Sequence, residues 1–258
     1  EALLEVMKDD RRTPCAASAL RLGMKCGGSD AFSGVSANPI VGRMTDYLTD
    51  RGGMVFLTEV PEMFGAEQQL MNRAVNQNVY GRIVSMIEEF KNYFISHGQP
   101  IYENPSPGNK DGGLTTLEEK SLGAVQKGGK AQVTDVLGYA EKGARSGLNL
   151  INAPGNDAVS STALTAAGAT ILLFTTGRGT PLGFPVPTLK ISSNSGLAAR
   201  KPGWIDFNAG ALVDGEREME ALAADLWATI LRVASGELTR NEENDYREIA
   251  IWKRGVTL

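Results

Sequence analysis

The sequence predicts an α/β protein, with a mixed or mostly parallel sheet and helices on its faces. Three observations carry that prediction. Short apolar runs alternate with longer stretches of 3.6-residue apolar periodicity. Several short runs end in loops that bear glycine or proline. The 258 residues, 42% hydrophobic and 22% charged, are enough to bury a sizeable core in one large domain or two small ones.

The first run, residues 19–25, sets Leu20, Leu22 and Met24 in alternation and stops at Cys26-Gly27-Gly28-Ser29-Asp30, where paired glycines call for a tight loop. Asn38 before Pro39 reads as an N-cap and first-turn pair. Ile40, Val41, Met44, Tyr47 and Leu48 then share one face ahead of Gly52, so a helix is expected. Residues 54–60 read as a buried strand broken by Pro61, and a second helix with Val79, Ile83, Met86, Ile87, Phe90 and Phe94 on one face runs to Gly98. From Gly98 to Leu114 the pattern gives way to a loop dense in Pro, Gly and Asn, and Thr116 with Glu119 forms a capping-box signature for a further helix. Residues 148–153 and 169–175 are two more buried strands, separated by the short helix-compatible stretch 160–167. Residues 185–192 are expected at a sheet edge, because Pro185 and Pro187 cannot donate to a ladder. The clearest amphipathic helix is 216–235, with Asp214 near its start and Gly236 beyond its end.

A net charge of −4 advertises neither a nucleic-acid nor a membrane partner, so a small anionic substrate would need local positive charge. Two cysteines, Cys15 and Cys26, and no apolar run long enough to span a bilayer favour a reducing, cytoplasmic setting. Glu1 to Met7 reads like the middle of a helix, which suggests a fragment whose N-terminal partner is missing.

In open parallel sheets the working residues sit in loops beyond the carboxyl ends of the strands. Residues 26–30, 59–65, 154–157 and 175–180 meet that description, with 104–116 as a fifth candidate. Thr175-Thr176-Gly177-Arg178-Gly179-Thr180 suits an anionic group gripped by backbone N–H and a bidentate guanidinium, or is a glycine-rich turn with a solvated arginine. Lys110 and Lys120 are the bases that the fifth loop and its following helix could present, provided burial or a second cation lowers their pKa. Cys26, Asp30 and Glu59 could converge on one divalent cation, although no Cys-x-x-Cys or paired-histidine spacing supports this. Cys26 could equally be buried and inert, and Glu59 a general base. The single histidine, His97, suits a helix end, which excludes a serine–histidine triad within these residues. No Gly-x-Gly-x-x-Gly or Walker-type run supports a nucleotide site.

Three blocks carry a resemblance: LGMKCGGSDAFSGVSANPIVG (residues 22–42), NPSPGNKDGGLTTLEEKSLGAVQKGG (104–129) and FTTGRGTPLG (174–183). They resemble signature blocks of the altronate and galactarate dehydratase family, which includes a sulfolactate sulfo-lyase, and the middle block is closest to the altronate branch. The resemblance spans nearly the whole chain and identifies residues 1–258 as the C-terminal catalytic region. It implies loss of water across C2 and C3 of an aldonic or aldaric acid, giving a 2-keto-3-deoxy product, with a divalent metal, Fe(II) ahead of Mn(II). It also implies a small N-terminal β-rich domain or subunit, for which nothing here is a match, and a homo-oligomer is compatible with it. For that chemistry Thr175, Thr176, Gly177 and Arg178, with Asn109, Gly27, Gly28 and Ser29, are the expected substrate-binding residues. Lys110, Lys120 or Glu59 would serve as base or acid, and Cys26, Asp30 and Glu59 as metal ligands.

Overall fold

The alternation of apolar runs resolves into a single sheet in the computed structural model, which describes residues 2–253 and 255. In chain order its first elements are α1 (Ala2–Met7), β1 (Arg21–Cys26), α2 (Ala37–Thr49), β2 (Met54–Leu57), α3 (Glu67–Met71) and α4 (Gln77–Ser96). Then come α5 (Pro107–Asp111), α6 (Leu117–Val125), β3 (Val133–Leu137), β4 (Gly147–Ile151), α7 (Asp157–Ala167) and β5 (Ile171–Thr176). The last are β6 (Thr188–Ser192), α8 (Ser195–Arg200), β7 (Phe207–Asn208), α9 (Met219–Ala234) and α10 (Arg240–Glu243).

The seven strands lie in the order β3-β4-β2-β1-β5-β6-β7, and every pairing is parallel. Both faces are therefore covered by helices, which is why the strands read as nearly continuous apolar runs. Alternation along each strand sorts the core into two. Leu22, Met24, Val55, Leu57, Ile171 and Leu173 pack with α2, α4 and α9, whereas Phe56, Leu172 and Phe174 pack with Ala163, Leu164 and Ala167 of α7. From β1 the chain adds β2, lays β3 at the sheet edge and inserts β4 between them, then returns to the other side of β1 with β5. The crevice beyond the ends of β1 and β5 is thus a topological switch point, where open α/β sheets place ligands.

Four details differ from the sequence expectations. Ser36, not Asn38, holds the N-cap position of α2. Asn38 lies inside the helix and turns inward, donating to Gly123 O (3.0 Å) and accepting from Thr175 Oγ1 (2.7 Å). The strand at 188–192 starts after both prolines and is not the edge, because the two-residue β7 pairs outside it. The 98–114 stretch contains α5, started by Pro107 at a position that needs no N–H. The strand β3 was not anticipated, since Thr134 and Asp135 interrupt its apolar run. The Thr116 cap of α6 is present, with Thr116 Oγ1 accepting from Glu119 N, while the Glu119 carboxylate reaches one residue further back, to Thr115 N (2.8 Å). Among the described residues no helix is long and apolar enough to cross a membrane.

Candidate active site

The loops beyond β1 and β5 lie side by side: Gly27 N donates to Thr175 O (3.0 Å) and Gly177 N to Gly28 O (3.1 Å). A Cβ on Gly177 would stand 2.3 Å from Asp30 Cγ, and one on Gly27 would stand 2.5 Å from Asp157 Oδ2, so only glycine fits at these two positions. Asp30 ties the loops together. Its carboxylate accepts from Ser33 N (2.9 Å), Ser33 Oγ (2.8 Å), Ser193 Oγ (2.7 Å) and Asn194 Nδ2 (2.9 Å).

These loops, with those after β2 and β4, enclose a cavity of about 510 Å³ whose chemistry-bearing walls are Cys26, Glu62, Asn109, Lys120, Asp157 and Arg178. Under it lies a cluster of buried ions. Lys25, at the end of a strand buried on both faces, cannot reach water, and its Nζ bonds Glu59 Oε1, Asp157 Oδ1 (2.8 Å) and Cys26 O (2.5 Å). Glu59 takes a left-handed backbone (φ 72°, ψ 59°) that turns its carboxylate back beneath β1. There Oε2 accepts from Cys26 N (3.2 Å) and pairs with Lys127 Nζ (3.1 Å). The Lys127 ammonium also stands 2.8 Å from Cys26 Sγ. Closer to the cavity, Lys120 Nζ pairs with Glu62 Oε1 (2.7 Å) and lies 3.4 Å from Ser29 Oγ, while Glu62 Oε2 is 2.9 Å from Cys26 Sγ. Three lysines thus face three carboxylates, Glu59, Glu62 and Asp157, around one thiol. A hollow of about 640 Å³ elsewhere, lined by Arg43, Asp46 and Arg73 among others, contains neither the thiol nor these ion pairs.

The charges follow from this packing. Burial works against the Lys25 ammonium, but Glu59 and Asp157 outweigh it and hold Lys25 above the ordinary lysine range. Burial is likewise overcome at Lys120 and Lys127, with Cys26, Glu59 and Glu62 as the opposing groups. Burial, Glu59 and Glu62 push the Cys26 thiol up to about 11, against Lys120 and Lys127. A thiol that keeps its proton adds little to those two lysines, so the carboxylates carry their charge. Burial would raise Glu62, yet Lys120, Lys127 and Lys25 bring it down to about 2.

The structure brings Cys26, Gly27, Gly28, Asn109, Lys120 and Arg178 onto the cavity wall. Glu59 sits behind it, with both carboxylate oxygens engaged. Thr175 and Thr176 are buried and bond the framework: Thr175 Oγ1 donates to Asn38 Oδ1 and Thr176 Oγ1 accepts from Gly179 N (2.9 Å). Gly177 and Ser29 are buried too, Ser29 O receiving Asn109 Nδ2 at 2.9 Å. Lys110, on α5, is exposed, and its side chain makes no hydrogen bond or ion pair among the described residues. Cys26, Glu59 and Glu62 place one donor atom each within 4.8 Å of one another, a set that could hold a metal ion, and Asp30 is not among them. Lys25, Glu62, Lys127 and Asp157 were not singled out from the sequence. Glu62 and Asp157 lie in loops already marked as candidates, whereas Lys25 had one legible signal: a lysine inside an otherwise buried strand needs a partner.

A doubly covered parallel sheet with a charged cavity at its switch point defines an α/β protein that works through its strand-end loops. Residues 17–257 match the family described as D-galactarate/Altronate dehydratase, C-terminal, and the chain belongs to that family. It is 55% identical to an altronate dehydratase of Bacillus subtilis (strain 168), over 98% of this chain and 51% of the relative. An altronate dehydratase of Escherichia coli (strain K12) is also 55% identical, over 99% of this chain and 52% of its own length. The galactarate dehydratase (L-threo-forming) of the same strain is 42% identical, over 92% and 46%. The chain therefore spans about half the length of these relatives.

Proposed function

We propose that this chain is the catalytic region of a sugar-acid dehydratase, which removes water across C2 and C3 of an aldonic or aldaric acid, D-altronate first, to leave a 2-keto-3-deoxy acid. The observation that carries the reading is the set of buried ammonium groups at a strand-end cavity, in a chain whose relatives bear dehydratase names. A proton beside a carboxylate is very weakly acidic, so the enediolate formed on its removal must be met by cations or aimed donors. Arg178, with Nη1 fixed on Gly108 O (2.9 Å), presents the rest of its guanidinium for the substrate carboxylate. Lys120 holds a proton at Nζ on the cavity wall, in place to assist the departing hydroxide. Lys25 and Lys127 lie behind it and offset the charges of Glu59 and Asp157, so that the carboxylates beneath the cavity do not repel an anionic substrate.

Cys26, Glu59 and Glu62 would hold the divalent metal, Fe(II) ahead of Mn(II). Sulfur with carboxylate oxygens suits such an ion in kind, and it would take the place of the Cys26 proton, of the Lys120 ammonium at Glu62 and of the Lys127 ammonium beside Cys26 Sγ and Glu59 Oε2. When bound, it supplies Lewis-acid stabilisation of the enediolate. The remaining length of the relatives, as a β-rich domain or subunit, would complete the wall of the site, and a cytoplasmic enzyme suits the two free cysteines. The test is an anaerobic assay of the full-length protein with iron or manganese against altronate, galactarate and sulfolactate, trapping the 2-keto acid. No keto acid from either sugar acid would overturn the reading, and turnover of sulfolactate alone would replace it with sulfo-lyase activity.

A further inference from the structure

One buried lysine stands outside the ion cluster. Lys190, in β6, is fully enclosed and in register with Phe174 of β5, which is in register with Lys25 of β1. A single ring thus stands between two ammonium groups, its centroid 5.8 Å from Lys25 Nζ and 5.3 Å from Lys190 Nζ. Lys25 is matched by carboxylates, whereas Lys190 is in no ion pair among the described residues. Its Nζ donates instead to the carbonyl of Thr180 (2.6 Å) and to Asn241 Oδ1 (3.4 Å). Asn241, buried in α10, donates through Nδ2 to Leu182 O (3.0 Å), so the lysine and the amide hold both ends of the 180–182 segment. A buried ammonium without a carboxylate costs free energy that a methionine of similar volume would not incur. What the methionine could not do is hold Thr180, which lines the cavity with Gly179 and Arg178.

We infer that Lys190 is a positioning residue for binding of the substrate carboxylate: by holding Thr180 it fixes the 177–180 turn that presents Arg178, without touching substrate. This rests on the reading of Arg178 given above. The groups that face Lys190 are Asp206, whose carboxylate accepts from Lys190 N (2.7 Å) and Arg240 N (2.8 Å), Glu248 from the C-terminal segment, Asp157 from α7, and Lys25 across the ring. Burial outweighs the pull of Asp206, Glu248 and Asp157 and lowers Lys190 to about 8, while burial raises Asp206 to about 6. As pH rises past about 8 the ammonium is therefore lost, Thr180 keeps only the weaker bond of a neutral amine, and the cavity loses a positive charge nearby.

The experiment is steady-state kinetics of the full-length enzyme on its sugar acid, comparing wild type, Lys190→Met and Lys190→Arg across the alkaline range. Lys190→Met is expected to raise KM by about tenfold, the worth of one charge-assisted hydrogen bond, with kcat nearly unchanged. Wild-type KM should climb as pH passes about 8, a limb absent from Lys190→Met and shifted upward in Lys190→Arg. An unchanged KM in Lys190→Met, or an alkaline limb that persists in it, would overturn the inference. If Lys190→Met does not fold, the wild-type profile decides, and a KM flat through that range refutes the role. If wild type turns over no sugar acid, the functional reading has failed, and amide exchange of residues 177–180 then judges this one. Exchange should quicken in wild type as pH passes the Lys190 titration, beyond the intrinsic base catalysis seen in a control loop, and no excess counts against it.

Discussion

Glu59→Gln isolates the worth of the buried charge cluster, because the substitution keeps shape and removes one charge. Lys25 would retain Asp157 at 2.8 Å, but Lys127 would retain only Cys26 Sγ, also at 2.8 Å. One buried ammonium, not two, is thus left without a carboxylate, for which about 3–5 kcal/mol is the expected loss. A second route sets the same ceiling. Lys127 can shed its proton, which for a lysine of ordinary pKa costs about 4.6 kcal/mol at pH 7 and about 1.9 kcal/mol at pH 9. In the wild type the folded pKa of Lys127 lies above its unfolded value, so its contribution is fully present below the unfolded pKa and is lost only as pH rises through the folded one. In the variant the folded pKa would be depressed, and stability is lost as pH falls from the unfolded pKa toward the folded one. Denaturant unfolding of full-length wild type and Glu59→Gln should therefore show a deficit of about 3–5 kcal/mol at pH 7 that shrinks to roughly 2 kcal/mol at pH 9. A deficit under about 1 kcal/mol, or one equal at both pH values, would refute the description of Glu59 as the counter-ion of Lys127.

Lys120→Met should lower kcat by about 10²–10⁴-fold, whereas Lys110→Ala, at an exposed position, should keep both turnover and solvent-deuterium incorporation at C2 near wild type. The reverse ranking would return the proton transfer to Lys110. Arg178→Lys keeps charge but loses the planar fork, so KM should rise by about tenfold with a smaller change in kcat, and identical kinetics would remove Arg178 from the carboxylate site. Asp30→Asn sets an amide N–H against groups that already donate, from Ser33, Ser193 or Asn194. It should cost about 1–3 kcal/mol in unfolding experiments, and a neutral result would contradict its role in tying the loops.

The elements with strong local signals were legible in the sequence. Gly52 and Gly98 mark the ends of their helices, and the runs that became β1, β2, β4 and β5 read as buried strands because a parallel sheet covers both of their faces. β3 was hidden because Asp135 interrupts its apolar run and is matched only in the fold, by Arg82, 53 residues away, and by Arg145. The edge expectation failed because prolines at 185 and 187 remove a donor only where they stand, while Pro187 O still accepts from Leu172 N (2.9 Å) and the strand that follows pairs on both sides. At the site, glycines and the guanidinium located the right loops, but not which side chains turn into the cavity. Thr175 and Thr176 point into the framework, and Lys127, in a Gln-Lys-Gly-Gly stretch, gives no local hint that its Nζ ends beside Cys26.

The left-handed backbone at Glu59 restricts what the molecule can become. Asparagine and aspartate tolerate that conformation best after glycine, but their shorter side chains would stop short of Lys25 and Lys127. Glutamine keeps the reach without the charge, and any β-branched residue would add steric strain. Stereochemistry and charge therefore leave one acceptable amino acid there, so altered specificity in this fold has to be sought at Asn109 and Arg178, whose φ angles are ordinary and which line the cavity directly.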